Sequence, residues 1–175
     1  GDQWTRQAKF TPDDADHTFG RAIDVTGAGT TIVVGAPPRD SRSNPGGSVY
    51  IYTTDGDGWD LIERLEGGNE PRTGFGRSVA IDGPGDTLLV GTPMDSGGRG
   101  CVFDSDPWEQ TDELLIPEDY EPSENPRNRN WGRAVALSDD GSTALLANPD
   151  SGIGFGEAHV FSRNGSNWTH NRILE

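Results

Sequence analysis

The sequence predicts an all-β chain built from three four-stranded antiparallel repeats, on three observations. A pentapeptide recurs in register at positions 19, 75 and 131, as Phe19-Gly20-Arg21-Ala22-Ile23, Phe75-Gly76-Arg77-Ser78-Val79 and Trp131-Gly132-Arg133-Ala134-Val135. A tripeptide keeps the same step, as Gly35-Ala36-Pro37, Gly91-Thr92-Pro93 and Ala147-Asn148-Pro149. A fixed period of this length marks one supersecondary unit repeated. The 25 Gly and 12 Pro against 31% hydrophobic residues suit short strands joined by turns and leave little for amphipathic helices.

Each repeat divides into four strands. The first follows Phe-Gly and ends in a polar turn such as Val25-Thr26-Gly27-Ala28-Gly29. The second is an unbroken apolar triplet, Ile32-Val33-Val34, Leu88-Leu89-Val90 or Ala144-Leu145-Leu146, which predicts a strand covered on both faces. The third runs from Gly47 to Tyr52, Gly98 to Phe103 and Gly156 to Phe161. The fourth opens on Trp, from Trp59 to Leu65, Trp108 to Leu115 and Trp168 to Leu174. The repeats therefore span 19–65, 75–115 and 131–174 within a single array over 1–175. Trp4 to Phe10 matches a fourth strand without the three that should precede it, an orphan outer strand over 4–10. A four-stranded sheet cannot bury both faces alone, so the sheets stack face to face, and radial stacking gives a β-propeller. Gly20, Gly76 and Gly132 are expected on the innermost strand, where blades crowd the axis.

With these two motifs in register, the chain resembles the FG-GAP repeats that form the blades of the integrin α-subunit propeller and of many microbial surface proteins. The resemblance covers residues 4–174, with Trp131 in place of Phe and Ala147-Asn148-Pro149 in place of Gly-Ala-Pro. It implies a secreted or cell-surface propeller that binds a protein or a glycan through loops on one face. Integrin-type blades hold Ca²⁺ in the turn between the first two strands. Here that turn is Thr26 to Thr30, Asp82 to Asp86 and Ser138 to Ser142, too short and too poor in carboxylates to carry those sites over.

Three blades do not close a ring when propellers use about four to eight. The array is thus expected to be part of a larger propeller or of an oligomer, with the Trp4 strand pairing within a longer array or with a neighbouring chain.

The chain holds 29 Asp and Glu against 14 Lys and Arg, of which only Lys9 is lysine, for a net charge of −15. This argues against nucleic acid as a partner. An acidic, lysine-poor surface is what solubility in concentrated salt demands, which points to a halophilic organism or its virus. The single Cys101 supports no intrachain disulfide and is expected to pack as a small hydrophobe. No apolar run approaches a membrane span. The sequons at Asn164 and Asn167 make both candidate glycosylation sites on the extracellular reading.

Asp55, Asp57 and Asp60 are spaced as oxygen ligands of Ca²⁺ would be, but Asp-Gly is also the ordinary choice for a tight hairpin, and the turn reading is preferred. Asp13, Asp14, Asp16 and His17 read as a solvated connector. His17, His159 and His170 fall in three contexts, with His159 at the repeat position of Tyr50 and Cys101. No nucleophile elbow, phosphate loop or Cys/His metal spacing is present, so no catalytic residue is assigned. The five Trp all hold repeat-defined positions. Arg21, Arg77 and Arg133 share one repeat position near the axis, where each is expected to pair with a carboxylate of its own blade, the alternative being a ring that binds an anion.

The segments least bound by the repeat, 38–46 and 117–130, fall on the face that carries the inter-blade connectors and the turns from second to third strand. Loops free of the repeat are where specificity is built. Arg39, Asp40, Arg42, Asp119, Tyr120, Arg127 and Arg129 are therefore the candidate partner-binding residues, with any glycan on the far side. The expected function is a non-catalytic recognition or adhesion module. The alternatives are a structural subunit that assembles by blade or edge-strand complementation and, less expected, a propeller enzyme.

Overall fold

The computed structural model describes residues 3–12, 18–39, 46–68, 73–93, 97–117, 130–149 and 156–174. These hold twelve strands and no helix. The first sheet contains β1 (Ala22–Val25), β2 (Thr31–Ala36), β3 (Ser48–Thr53) and β4 (Asp60–Glu66). The second contains β5 (Ser78–Ile81), β6 (Thr87–Thr92), β7 (Arg99–Asp104) and β8 (Glu109–Leu114). The third contains β9 (Ala134–Leu137), β10 (Thr143–Asn148), β11 (Glu157–Asn164) and β12 (Asn167–Leu174). Strands pair antiparallel in sequence order within each sheet. The all-β blade architecture expected from the repeat is thus the one observed.

The apolar triplets explain how the blades stack. Successive residues of a strand face opposite ways. In β6, Leu88 and Val90 join Val33, Val49 and Ile51 of the first blade, while Leu89 joins Ala144, Leu146 and Phe161 of the third. The middle sheet is buried on both faces, and each fully buried Leu or Val adds about 1.5–3 kcal/mol of hydrophobic stabilisation. Cys101 lies in the first of these interfaces, with its thiol pushed up to about 11 by burial and then by the charge of Glu113, against Arg99 and Thr92. It packs as a small apolar group.

Polar contacts fix the stacking register. The Ser78 hydroxyl donates to the Gly132 carbonyl at 2.7 Å, and the Ile81 amide donates to Asp24 at 2.9 Å. Arg163 of β11 reaches across to β7, its two terminal nitrogens 3.0 and 2.7 Å from the Asp104 carboxylate, with a third bond of 3.0 Å to the Thr87 hydroxyl. Burial acts to raise the Asp104 pKa, but bonds from Arg163, Thr111 and Thr87, with the Arg163 charge, hold it below the usual carboxylate range. At the far end of the innermost strands the turns bond to one another in series, Gly27 N–H to Gly83 O at 3.3 Å and Gly83 N–H to Asp139 O at 2.8 Å.

Two expectations are corrected. Gly20, Gly76 and Gly132 do not lie on the innermost strand; they occupy the turn before it, at φ of 84°, 80° and 84°. A positive φ is foreign to a strand and open to glycine. Crowding holds for Gly132, whose Cβ would overlap the Arg99 carbonyl, and not for Gly20, which has open space around it. The second correction concerns residues 4–10, which form no strand. Trp4 is fully exposed, while Phe10 lies on the outer face of the first blade, its ring 4.4 Å from Tyr52 and 5.9 Å from Trp59. Among the described residues no other blade packs on that face, and the Phe10 ring covers part of it.

Candidate functional site

The blades present two unlike ends. At one, the hairpins from first to second and from third to fourth strand are short and closed by their own side chains. Asp82 is buried and accepts the amides of Gly85, Asp86 and Thr87 at 2.9, 2.8 and 3.1 Å. The equivalent turn of the third blade uses Asp140, whose pKa is held down at about 2 by bonds from Ser138 and Ser142. Asp55 likewise accepts the Asp57 amide at 3.2 Å within its turn, and Asp60 pairs in β4 with Thr53. Among the described residues no group of three or more His, Cys, Asp or Glu side chains is placed to hold a metal ion, so Asp55, Asp57 and Asp60 do not converge on a Ca²⁺ site. Asn164 and Asn167 stand exposed on the β11–β12 hairpin, which places both sequons at this end.

The other end carries the connectors and the loops from second to third strand. Arg39 is exposed at the start of the first such loop. Asp40, Arg42, Asp119, Tyr120, Arg127 and Arg129 lie outside the described residues, as do Asp13, Asp14, Asp16 and His17. The bases of these loops are firmly held. The Phe75 amide donates to Gly46 O at 3.0 Å and the Thr73 hydroxyl to the same carbonyl at 2.9 Å, while the Gly67 amide reaches Gly47 O at 2.9 Å. Thr18 donates to Pro37 O at 3.0 Å from its amide and from its hydroxyl. Loops rooted this way are carried on a rigid rim.

The Gly-Arg turns also open at this end. The Arg21 amide donates to Thr18 O at 3.2 Å and to Gly35 O at 3.1 Å; the Arg77 amide repeats the first bond, to Gly74 O at 3.0 Å, and the Arg133 amide the second, to Ala147 O at 3.2 Å, which sets the three residues at equivalent places. The carboxylate pairing expected for them is not what the first two show. Among the described residues neither Arg21 nor Arg77 enters an ion pair, whereas Arg64, Arg99 and Arg163 pair with Glu66, Glu113 and Asp104 at 3.7, 2.9 and 2.7 Å. Arg77 is held below the usual guanidinium range by burial and then by the positive charges of Arg21 and Arg133. Arg77 thus lies within electrostatic reach of both of the others.

Sequence reasoning missed one feature. His159 and His170 share one context, across the β11–β12 ladder, with Nδ1 of His159 2.9 Å from Nε2 of His170. The His159 ring is fully buried and stands edge-on to Trp131 at 4.4 Å. Burial, then the charge of His170, lowers its pKa to about 4 against a smaller opposing effect of Glu157. His170 pairs with Phe161, two residues from His159 on the same face of β11, so strand alternation places the two rings together once the hairpin register is known.

The geometry defines stacked blades of a propeller, and solved structures resemble the chain. They include a eukaryotic initiation factor at 10% identity and TM-score 0.58, over 97% of this chain and 36% of that one. Candidate 6-phosphogluconolactonases from Bacteroides fragilis and Bacteroides uniformis follow at 13% and 16% identity, with TM-scores of 0.57 and 0.55. They are covered over 38% and 44% of their length by 87% and 95% of this chain. At such identities the likeness shows the fold alone, and the chain spans less than half the length of these structures. Residues 4–52 match the FG-GAP repeat. No curated protein matches the sequence. Among the described residues no helix is long and apolar enough to cross a membrane.

Proposed function

We propose that the chain is a non-catalytic recognition module of an extracellular or cell-surface protein, binding a protein or glycan through the loop-bearing end of its blades. The observation that carries this reading is the asymmetry of the two ends in a repeat array whose residues 4–52 match the FG-GAP repeat: short self-closed hairpins at one, and long repeat-free loops on hydrogen-bonded bases at the other. Loops that vary on a rigid scaffold are the usual seat of specificity. The acidic, lysine-poor surface fits an environment of high salt. Asn164 and Asn167, exposed at the opposite end, are the residues a glycan would occupy without covering the binding loops. The test is binding to a panel of immobilised glycans and extracellular proteins in molar salt. Combined Arg39→Ala and Arg42→Ala substitution is expected to weaken the strongest interaction at least tenfold, and unchanged binding would sink the reading.

A second reading, assembly through blade faces, is favoured by the apolar outer face of the first blade. Ile23 is 72% exposed there, and with Val25, Ile32 and Phe19 it borders an open apolar depression of about 550 Å³. Molar mass from light scattering in molar salt separates the two. Discrete oligomers that Ile23→Asp dissociates support assembly, and a monomer at all concentrations refutes it for this chain.

A further inference from the structure

We propose that Arg21, Arg77 and Arg133 form an oxyanion site at the mouth of the axis, on the loop-bearing end, which takes a carboxylate, sulfate or phosphate group of the ligand. The inference deepens the recognition reading and rests on it for what carries the anion; the site itself stands on the geometry of the three arginines.

Three observations support it. The first is placement. Each arginine follows a glycine of positive φ and immediately precedes the innermost strand of its blade, and the Arg21 amide shares one seating bond with each of the others, to Thr18 O as Arg77 bonds Gly74 O and to Gly35 O as Arg133 bonds Ala147 O. The bonds from Ser78 to Gly132 and from Ile81 to Asp24 hold neighbouring innermost strands side by side, so the three side chains leave the fold from one end of three adjacent strands. The second is mutual proximity, since the charges of Arg21 and Arg133 both bear on Arg77. The third is the treatment of charge elsewhere. In a chain of net charge −15, carboxylates are in excess, and Arg64, Arg99 and Arg163 each sit against one. Arg21 and Arg77 instead have an arginine as their charged neighbour. Gathering like charges is unfavourable in the empty state and becomes favourable when an anion sits between them.

The donor set defines the ligand class. A guanidinium presents a planar fork that matches the paired oxygens of a carboxylate, sulfate or phosphate, and two or three forks around one anion satisfy its oxygens together. The surrounding acidity disfavours a polyanion such as nucleic acid, whose further charges would meet carboxylates, and favours a single acidic group on an otherwise neutral ligand. The axis is polarised accordingly, with the arginines at one end and the Asp82 and Asp139 turns at the other.

The test uses inorganic sulfate and acetate as probes, titrated into the whole chain with chloride holding ionic strength constant. Binding is read by calorimetry and by the Nε–H resonances of the arginines. Saturable shifts confined to Arg21, Arg77 and Arg133 are expected, with affinity reduced at least tenfold by Arg77→Gln and by the more exposed Arg21→Gln, and changed less than twofold by substitution of the exposed Arg6, Arg6→Gln. Preference for acetate identifies a carboxylate-bearing ligand, and preference for sulfate a sulfate or phosphate ester. Shifts spread over all arginines without saturation, or an affinity equal in all three variants, would overturn the site. Sulfate binding that persists while loop substitutions leave glycan and protein binding untouched would overturn the recognition reading and leave the site standing.

Discussion

Lowering the pH from 7 to 5 is expected to remove about 2 kcal/mol of stability through His159 alone. The folded chain holds this imidazole at about 4, below the ordinary value of 6.5, because charging it would place a cation in a buried site beside His170. The unfolded chain binds the proton more readily, so the native state loses ground as pH falls through 6.5, and the loss is complete near 4. The acidic surface acts in the opposite sense, since protonating carboxylates relieves self-repulsion. Denaturant unfolding at pH 5, 6 and 7 should therefore be read as the difference between the native chain and His159→Phe, which keeps a ring against Trp131 without the titrating nitrogen. The substitution is expected to flatten the dependence. Parallel pH profiles for the two proteins would show that the pair does not couple to folding.

Gly91→Ala is expected to cost about 3 kcal/mol or more. A Cβ at this position would overlap the Gly132 carbonyl and the Ser78 hydroxyl, both fixed by the hydrogen bond between them. Neither is the end of a flexible side chain, so relief would require the second and third blades to separate and expose part of the Leu89, Leu114 and Leu146 cluster. Gly35→Ala should behave alike against Gly76. Gly58→Ala is the control, with open space around it and no positive φ, and should leave the midpoint within about 0.5 kcal/mol of the native value. Equal losses for Gly91→Ala and Gly58→Ala in urea unfolding would refute close blade packing at this point.

Most of the fold was legible because its causes are local and repeated. The triplet Leu88-Leu89-Val90 announces burial on both faces by its lack of alternation, and it lies fully buried between two blades. Strand ends agree with the Trp and Gly-Pro punctuation to within a residue or two. What escaped depends on three-dimensional neighbours. The Phe-Gly glycines were misplaced because a requirement for positive φ and a requirement for close approach leave the same residue in the sequence. The bulge between third and fourth strands, at Ile51/Tyr52, Val102/Phe103 and Val160/Phe161, recurs in every blade, yet no Gly or Pro marks it. His159 and His170 meet for another reason: the hairpin register pairs His170 with Phe161, two residues along the same face of β11 from His159, which their spacing in the chain hides. Trp4 to Phe10 has the composition of an outer strand yet forms none, its Phe10 ring lying against Tyr52 and Trp59, a placement that sequence pattern does not reveal. The candidate binding end was legible only as the loops that break the repeat, and the arginine cluster only as a recurring letter whose neighbours the linear chain hides.

The bonds that link one hairpin turn to the next, Gly27 to Gly83 and Gly83 to Asp139, all run in the same sense, amide of the earlier blade to carbonyl of the later. An arrangement with a head and a tail has no natural stopping point. Each unit offers its successor the same acceptor-seeking amide that its predecessor offered it, so duplication of a gene segment could lengthen the row without inventing a new contact. Polarity of this kind makes blade number a quantity that evolution can vary, while the joint between units stays constant.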